Sequence, residues 1–377
     1  MKIRADKDTL AGALALAARF SGSAASMPAL SGLHLHAADG TLTVRASSVD
    51  ASAVVAASDV DVLDDGEAVI PGRRLVDAVK AMRADTAELT VEDGFARLAG
   101  GKGSGRLPTL PADDFPVDLG DQLAEPVTLA TDHGALADAV KAAERVVAKD
   151  PSRPALGGIQ LEWAQQTLDV VATDGYRLTH RQLPVAVAAG DGEPVTAALV
   201  PAGPLRHALD AVGAGENPQV VVGSGLLSVA TDRVRVTIRL TEAQFPAWRD
   251  FVAIEEAGAA TVDIAELRSA VAAVTAFDDG GEGALELAAA EDGDAVTLSL
   301  VGSGDGGAGD EMLDATFDGA LPTVSLRAAY LLTALEQFGD ADTARIAVVD
   351  AQRPLKVTAP DASAAGQHIV MPYLIRR

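Results

Sequence analysis

The stretch Val171-Ala172-Thr173-Asp174-Gly175-Tyr176-Arg177-Leu178 closes a module whose outline occurs three times in this chain of 377 residues. The letters LGGIQL at residues 156–161 match LSGLHL at residues 30–35, an offset of 126 residues. Farther along, PAGPL at residues 201–205 matches PGRRL at residues 71–75, an offset of 130 residues. The first two copies therefore keep their spacing over a length typical of a whole domain.

A third copy repeats the same order of elements more faintly. ALEL at residues 284–287 and TLSL at residues 297–300 repeat the strand pair, and VSLRAAYL at residues 324–331 repeats the strand-to-helix step. A period of this size is typical of tandem domains rather than of solenoid repeats of ~20–50 residues. We predict three domains, at residues 1–122, 123–252 and 253–377.

Each copy carries a helix, a strand pair, a second helix and further strands. The first helices are predicted from apolar residues at helical spacing behind a capping residue: Leu10, Leu14 and Ala17 after Asp8 and Thr9, Leu136, Val140 and Ala143 after Thr131 and Asp132, and Leu267, Val271 and Val274 after Asp263. Asp39-Gly40 and Asp292-Gly293 predict hairpin turns. The pattern predicts an α+β fold of three tandem similar domains, each an antiparallel sheet with two helices on one face.

Composition narrows the possible functions. Cysteine is absent, which excludes disulfides, thiolate catalysis and zinc sites made of cysteine. The first residues lack the apolar core of a secretion signal, and no apolar run approaches the ~20 residues of a membrane span. We therefore expect a cytoplasmic protein with no membrane partner and no cofactor. The formal net charge of −24 would repel nucleic acid if it were evenly spread, so the placement of the cations matters.

Cationic side chains gather on two predicted helices. Arg73, Arg74, Lys80 and Arg83 lie on or beside one of them, and Lys141, Arg145, Lys149 and Arg153 recur about every four residues along another. Because residues three or four apart share a helix face, the second set predicts one cationic stripe. An ordinary solvated helix face is the alternative, and the repetition in equivalent helices of an acidic protein argues against it.

No motif points to catalysis. GGKGSG at residues 100–105 lacks the residue order of a phosphate-binding loop and indicates a flexible hairpin loop. His34 and His36 face one side of a strand without a nearby third ligand, so they are interpreted as surface histidines rather than a metal site. The acidic runs at residues 278–282 and 302–307 lack the ligand order of a calcium loop. No nucleophile lies beside a recognisable base, and no catalytic residue is assigned.

Residues 158–178, together with Phe245-Pro246 and the ending Ile369-Val370-Met371-Pro372, resemble the bacterial DNA polymerase III beta subunit, the sliding clamp family. The resemblance covers the whole chain in order. It implies a homodimeric head-to-tail ring around duplex DNA, bound independently of sequence, and a non-catalytic processivity factor. The implied protein partners are the DNA polymerase III alpha subunit, the clamp loader and other proteins that carry a clamp-binding motif.

The resemblance also implies three sets of functional residues. A partner-peptide pocket between the second and third domains would be formed by Leu156, Thr173, Gly175, Tyr176, Arg177, Leu178, Pro246, Asp250, Phe251, Ile369, Val370, Met371, Pro372 and Tyr373. A DNA channel would be lined by Arg73, Arg74, Lys80, Lys141, Arg145, Lys149, Arg153 and Arg206. A dimer interface would include Arg74, Arg97, Arg106, Leu107, Ala276, Phe277 and Asp305, with Lys102, Asp310 and Glu311 as further ionic partners. In the pocket, apolar walls suit Leu or Phe anchors, and Arg177 and the backbone at Gly175 would donate hydrogen bonds to a peptide.

The chain departs from the family pattern at several of these positions. Asp250 and Phe251 stand where the family has a basic or amide residue and a small aliphatic one, and the tail arginine is displaced to Arg376-Arg377. Gly105 replaces an aromatic residue of the interface, and a channel arginine is missing near Ala24. Three interpretations stay open: a working clamp, a divergent second copy whose remodelled pocket tolerates a clamp-targeting inhibitor and so confers antibiotic resistance, and an unrelated enzyme on a similar scaffold.

Overall fold

The computed structural model describes residues 1–23, 27–188, 196–213, 218–223, 225–278, 283–291, 294–301, 307–339, 341–362 and 366–373. Several features discussed above fall wholly or partly outside these residues: Ala24, the Asp292-Gly293 turn, Asp305, the tail arginines Arg376-Arg377 and most of the two acidic runs.

The described residues form a few short helices among many strands. The helices are α1 Lys7–Ala18, α2 Gly72–Ala81, α3 His133–Glu144, α4 Ala202–Val212, α5 Arg249–Val252, α6 Ile264–Thr275 and α7 Ala328–Glu336. The strands up to the middle of the chain are β1 Lys2–Asp6, β2 Gly32–Ala38, β3 Thr41–Ser47, β4 Ala51–Ala57, β5 Val60–Asp64, β6 Gly66–Pro71, β7 Thr86–Glu92, β8 Phe95–Gly100, β9 Gly103–Pro108, β10 Val127–Ala130, β11 Gly158–Ala164, β12 Thr167–Thr173, β13 Arg177–Pro184 and β14 Ala186–Ala188. The remaining strands are β15 Ala197–Pro201, β16 Gln219–Gly223, β17 Leu226–Ala230, β18 Val234–Arg239, β19 Gly258–Asp263, β20 Ala284–Ala289, β21 Ala295–Leu300, β22 Asp310–Asp314, β23 Thr316–Gly319, β24 Val324–Arg327, β25 Thr343–Val348, β26 Leu355–Thr358 and β27 Gly366–Val370.

The chain forms two compact units, residues 1–137 with 185–241 and residues 138–184 with 242–377. In the first unit one sheet runs β5-β1-β7-β8-β9 and another runs β14-β10-β16-β17-β18-β4-β3-β2-β6. In the second unit the strand orders are β11-β12-β13-β27-β26-β25-β19-β23 and β22-β21-β20-β24. Neighbouring strands pair antiparallel, as in β12 with β13 and β13 with β27, so the α+β class predicted from the sequence is confirmed.

Two pairs of helices cover sheet faces. In the first unit α1 contacts α2, β3 and β4, and in the second unit α6 contacts α7, β21 and β22. Leu267 and Val271 of α6 share one apolar core with Leu331 and Leu335 of α7, and all four are completely buried. The helical spacing that predicted these elements therefore marks the residues that face the core.

The predicted helix caps are confirmed in two helices and displaced in the third. Asp132 Oδ1 accepts a hydrogen bond of 2.7 Å from Ala135 N, and Asp263 Oδ1 accepts one of 2.9 Å from Glu266 N. In α1, however, the cap is Asp6, whose Oδ1 accepts from the backbone N of Asp8 and of Thr9 at 2.9 Å each. The assignment of Asp8 and Thr9 as the start was wrong because β1 runs directly into the helix and Asp6 already satisfies the free N–H groups.

The hairpin turn at Asp39-Gly40 is confirmed. The two residues have φ angles of 51° and 74°, and they join the paired residues Ala38 and Thr41 of β2 and β3. Positive φ at both central positions defines the turn whose twist matches that of the flanking strands.

Two interpretations of short motifs need correction. The run at residues 100–105 does form a hairpin, but Gly103 and Gly105 pair with Gly100 and Leu98 inside the sheet instead of lying in a flexible loop. His34 is only 7% exposed, because its ring stacks on Phe115 at a centroid distance of 5.3 Å. Burial lowers the pKa of His34, and a hydrogen bond to Glu67 opposes that shift. Its interpretation as a surface histidine was therefore wrong.

Two kinds of feature are absent from the described residues. Within these ranges, no helix is long and apolar enough to cross a membrane. The same part of the chain holds no group of three or more histidine, aspartate and glutamate side chains placed to bind a metal ion.

Candidate functional site

An apolar cavity of about 110 Å³ lies where β12, β13 and β27 end in the second unit. Ten residues from three segments line it: Thr173, Gly175, Tyr176, Arg177, Leu178, Pro246, Trp248, Phe251, Ile369 and Met371. Nine of these positions are among those proposed from the sequence, and Trp248 is the addition.

Strand pairing brings these segments together. Leu178 of β13 is opposite Thr173 of β12 on one side and Ile369 of β27 on the other. Beyond β27, Met371 N donates a hydrogen bond of 2.8 Å to Tyr176 O, which extends the pairing to the cavity rim. Residues almost 200 positions apart thus share one wall because β27 is the neighbour of β13.

The turn at residues 174–176 presents an aromatic side chain at the rim. Asp174 Oδ1 accepts hydrogen bonds from the backbone N of Tyr176 at 2.9 Å and of Arg177 at 3.0 Å. Gly175 has a φ of 93°, a conformation that side-chain-bearing residues rarely adopt, and its N donates to Thr173 Oγ1 at 3.0 Å. Its backbone donor is therefore already used. This tight turn leaves Tyr176 57% exposed.

Arg177 anchors the cavity wall to neighbouring parts of the protein. Its Nε donates to Asp174 Oδ2 at 3.0 Å, its Nη1 to Thr333 Oγ1 at 2.8 Å and its Nη2 to Arg145 O at 3.0 Å. Its guanidinium also lies 4.9 Å from the centre of the Tyr330 ring. Three of the five guanidinium N–H groups therefore have partners within the protein, which leaves at most two for a bound peptide.

Trp248 is the wall residue that the sequence interpretation missed. It is 4% exposed, and its Nε1 donates to Glu162 Oε1 at 3.1 Å. Arg249 lies 4.4 Å from the centre of the indole ring, and the His180 ring is 4.7 Å away. The sequence could have indicated Trp248 by its position, two residues after Pro246 and close to Asp250 and Phe251, which depart from the family pattern. The side chain forms the floor because the polar groups around it fix its orientation.

A buried polar layer supports the same strands from behind. Thr179 Oγ1 donates to Gln337 Oε1 at 2.5 Å, and Gln337 Nε2 bonds His368 Nδ1 at 2.9 Å. Complete burial, with Arg177 nearby, lowers the pKa of His368 to about 3, so the imidazole is neutral. The layer links α7 to β13 and β27, and therefore to the cavity walls.

The other proposed pocket residues surround the cavity without lining it. Leu156 reaches within 3.9 Å of the position where a side chain at Gly175 would begin. Val370 is completely buried between β13 and β26, and Asp250 is exposed on α5. Pro372 is half-buried, and Tyr373 N donates to Ser325 O at 2.7 Å. Asp250 is thus the charged group beside the exposed Phe251.

The proposed cationic stripe is not a single helix face. The helix α3 ends at Glu144, so Lys149 and Arg153 lie beyond it, and the expectation of one continuous helix was wrong. The chain turns at Arg145 and Val146 and has left the helix well before Lys149 and Pro151. Arg145 forms an ion pair with Glu336, and Arg153 Nη1 donates to Asp174 O at 3.4 Å, whereas Lys141 and Lys149 are exposed.

Of the remaining residues proposed for the DNA channel, some are exposed and one is ion-paired. On α2, Arg73, Arg74 and Lys80 are exposed, while Arg206 of α4 pairs with Asp210 at 2.9 Å. The interface residues Arg97, Arg106 and Leu107 lie on β8 and β9, and Ala276 and Phe277 follow α6.

Comparisons with known proteins agree on one family. The models "DNA polymerase III beta subunit, N-terminal domain" and "DNA polymerase III beta subunit, central domain" match residues 1–119 and 130–247. The "Beta sliding clamp" of Streptomyces coelicolor is 27% identical over 392 residues, which cover 99% of each chain. That of Escherichia coli K12 is 25% identical over 359 residues, which cover 93% of each.

Solved structures show the same fold. The DNA polymerase sliding clamp of Bacillus subtilis superposes with a TM-score of 0.89 at 20% identity over 100% of both chains. The DnaN sliding clamp of Pseudomonas aeruginosa bound to griselimycin gives 0.89 at 21% identity, again over 100% of both.

Proposed function

Because the chain belongs to the DNA polymerase III beta subunit family, we propose that it acts as a sliding clamp in DNA replication. It is a processivity factor and not an enzyme: it keeps a DNA polymerase on its template and leaves the chemistry to that polymerase. Relatives named "Beta sliding clamp" match nearly its full length, and this observation carries the proposal. The cytoplasm, where bacterial duplex DNA lies, is its proposed place of action.

The proposed domains are residues 1–122, 123–252 and 253–377, as the internal repeat predicts. The two family models support this division, since residues 1–119 and 130–247 fall inside the first two ranges. Two copies would assemble head to tail into the ring of the family, around duplex DNA. Such a ring gains processivity from enclosing the duplex, so its lining needs only sequence-independent attraction to phosphates.

The apolar cavity is the proposed site for a short peptide motif of the DNA polymerase III alpha subunit, the clamp loader or another replication protein. Its volume of about 110 Å³ suits one branched aliphatic side chain, since a dry cavity of ~150 Å³ holds a benzene ring. Tyr176 and Phe251, which are 57% and 42% exposed, flank the opening and would cover the inserted side chain. Asp250 would select against acidic residues next to that anchor.

Titration of a polymerase-derived clamp-binding peptide against the purified protein tests this site directly. We expect saturable binding that falls at least tenfold in Tyr176→Ala, because that variant removes an exposed wall. The control is Phe95→Ala, which removes an aromatic side chain that is 40% exposed and does not line the cavity. Equal affinities of the wild type and Tyr176→Ala would reject the cavity as the peptide site.

The alternative proposal is that the chain is a divergent second copy of the clamp with a remodelled peptide pocket. The observation in its favour is that Phe251, where the family has a small aliphatic residue, lies in the cavity wall. Affinity for standard motif peptides distinguishes the two forms.

A further inference from the structure

The opening of the apolar cavity carries one carboxylate and two aromatic rings. Tyr176 and Phe251 line the cavity and are 57% and 42% exposed. Asp250 precedes Phe251 in the short helix α5 and is exposed as well. We call these three residues the acidic rim. The rim combines a negative charge with two ring faces that solvent reaches.

The charge of Asp250 has no cationic partner in the part of the chain that the structure describes. The adjacent Arg249 is committed elsewhere, because its Nη1 pairs with Glu162 Oε2 and its Nη2 lies 3.5 Å from Asp169 Oδ2. Its guanidinium also lies 4.4 Å from the centre of the Trp248 ring. The carboxylate of Asp250 is therefore open to a cation that a ligand brings.

The two exposed rings favour the same kind of ligand. The face of a tyrosine or phenylalanine ring attracts an ammonium or guanidinium group within ~6 Å of its centre, because the ring quadrupole is negative there. The second unit already contains such a contact, with Arg177 4.9 Å from the centre of the Tyr330 ring. Among the described residues, Tyr176 and Phe251 have no cation over their rings. Their faces are free for a basic side chain of a ligand.

A cation of the protein lies beside a different segment of the cavity wall. Arg153 is exposed, and its Nη1 donates to Asp174 O at 3.4 Å. The same nitrogen would lie 3.9 Å from a Cβ atom placed at Gly175, which lines the cavity. A basic side chain is therefore repelled beside Gly175 and attracted beside Phe251. This charge pattern favours a cation on one side only of an apolar anchor.

We propose that the cavity selects peptides in which a lysine or arginine lies next to the apolar anchor, on the side that faces Asp250. The anchor fills the cavity, and the cation pairs with the Asp250 carboxylate with the two exposed rings beside it. This inference rests on the proposed peptide site and adds the chemistry of its partner. Asp250 and Phe251, which both depart from the family pattern, then belong to one recognition feature.

A charge exchange between peptide and protein tests the proposal. The probe is the polymerase-derived clamp-binding peptide, made with lysine, alanine or glutamate directly before the anchor and in three matching versions with the change directly after it. Calorimetry on the full chain at ~0.15 M salt measures each dissociation constant, since screening over about 8 Å weakens the effect of distant charges. On one side of the anchor, the lysine version should bind about tenfold more tightly than the glutamate version, or by ~1.4 kcal/mol. On the other side the two should differ by less than about threefold.

Variants of the rim separate the carboxylate from the rings. Asp250→Lys should reverse the order of the lysine and glutamate versions, and Asp250→Asn should reduce their ratio to less than about threefold. The double variant Tyr176→Leu with Phe251→Leu keeps the walls apolar but removes both rings, so the preference for lysine over alanine should fall at least twofold. An unchanged preference in that variant would overturn the part assigned to the rings. Unchanged melting curves would show that the variants fold.

The control is Glu255→Lys, which makes the same change in net charge at an exposed acid whose neighbours in the chain do not line the cavity. It should leave the tenfold ratio within about twofold. Equal binding of the lysine and glutamate versions by the wild type, or a lysine preference that survives Asp250→Lys, would overturn the proposal while the cavity stays a peptide site.

Two further outcomes are decisive. Equal effects of Asp250→Lys and Glu255→Lys, or an equal lysine preference on both sides of the anchor, would assign the preference to the net charge of −24 and overturn the proposal. A failure of all the peptide versions to bind saturably would overturn both the proposal and the peptide site on which it rests.

Discussion

Arg177 Nη1 donates a hydrogen bond of 2.8 Å to Thr333 Oγ1, and this contact ties the wall of the apolar cavity to α7. Thr333 Oγ1 in turn donates to Ala329 O at 2.7 Å within the helix. The side chain of Arg177 is only 15% exposed, so its charge is satisfied inside the protein. A residue expected to contact the ligand thus acts as a positioning residue for the turn that carries Tyr176.

Arg177→Ala should lower both stability and peptide affinity. Hydrogen bonds to a charged group contribute roughly 1.5–3 kcal/mol when the group is buried, so we expect a loss of about 2–3 kcal/mol in the free energy of unfolding. Urea denaturation measures it. Arg353→Ala is the control, since its side chain is 63% exposed and its ion pair with Asp350 should contribute less than ~1 kcal/mol. Equal losses in the two variants would contradict the positioning role.

Phe251 and Asp250 should weaken the binding of standard motif peptides. An overfilled cavity costs roughly 1–3 kcal/mol, and the carboxylate adds repulsion toward acidic motif residues. We expect affinity about ten- to hundredfold below that of an ordinary clamp, or ~1.4–2.8 kcal/mol. Replacing Asp250 with Arg and Phe251 with Val should restore much of it, as calorimetry would show. If the double substitution leaves the peptide affinity unchanged, Asp250 and Phe251 do not affect peptide binding.

The exposed lysines at the end of α3 and just beyond it should contribute to DNA retention. Reversing Lys141 and Lys149 to glutamate should shorten the residence of the loaded clamp on circular DNA and flatten its salt dependence by about one unit of slope per lost phosphate contact. Arg353→Glu, a charge reversal at an ion-paired arginine, is the comparison. Retention that falls equally in both would indicate a general charge effect instead.

The dimer should loosen as ionic strength rises. Ion pairs at an exposed rim contribute only ~0–1 kcal/mol each, and salt screens them over about 8–10 Å. Sedimentation over a salt series would show the dissociation constant rising steadily. A dissociation constant that falls as ionic strength rises would mean that apolar contacts alone hold the two copies together.

Asp118 should make the first unit sensitive to acid. Its burial raises the pKa, but hydrogen bonds from Ser52 and Arg235 outweigh burial and hold the pKa below the ordinary 3.8. Because the folded-state pKa is the lower one, this stabilisation is complete above about pH 5 and is lost as pH falls through the folded-state pKa. Asp118→Asn should cost about 2–3 kcal/mol near pH 7, and the difference from wild type should shrink below about pH 4.

Asp121→Asn is the matched control, because Asp121 contacts the same arginine but is 56% exposed. It should cost less than ~1 kcal/mol at any pH. A pH-independent difference between Asp118→Asn and wild type would show that the ionised carboxylate is not the cause.

Several elements could be predicted from the sequence because their causes are local. Asp39-Gly40 forms its turn from the backbone preferences of two residues, and Asp263 caps α6 through a contact three residues away. The resemblance to the family, and not the repeat, indicated most of the cavity lining. Helix ends were less certain: the four-residue spacing extends past Glu144, but the chain leaves the helix there.

The sequence by itself determined the α+β class and the repeated elements, because spacing and turn chemistry act between near neighbours. The segments that meet at the cavity were indicated by the resemblance to the family. Only the tertiary structure decided what individual side chains do there. Arg177 is occupied by Thr333 and Arg145 O, and Trp248 is held by Glu162. Those partners lie 156, 32 and 86 positions away along the chain. Contacts at such separations depend on which strands become neighbours, and no local preference records that.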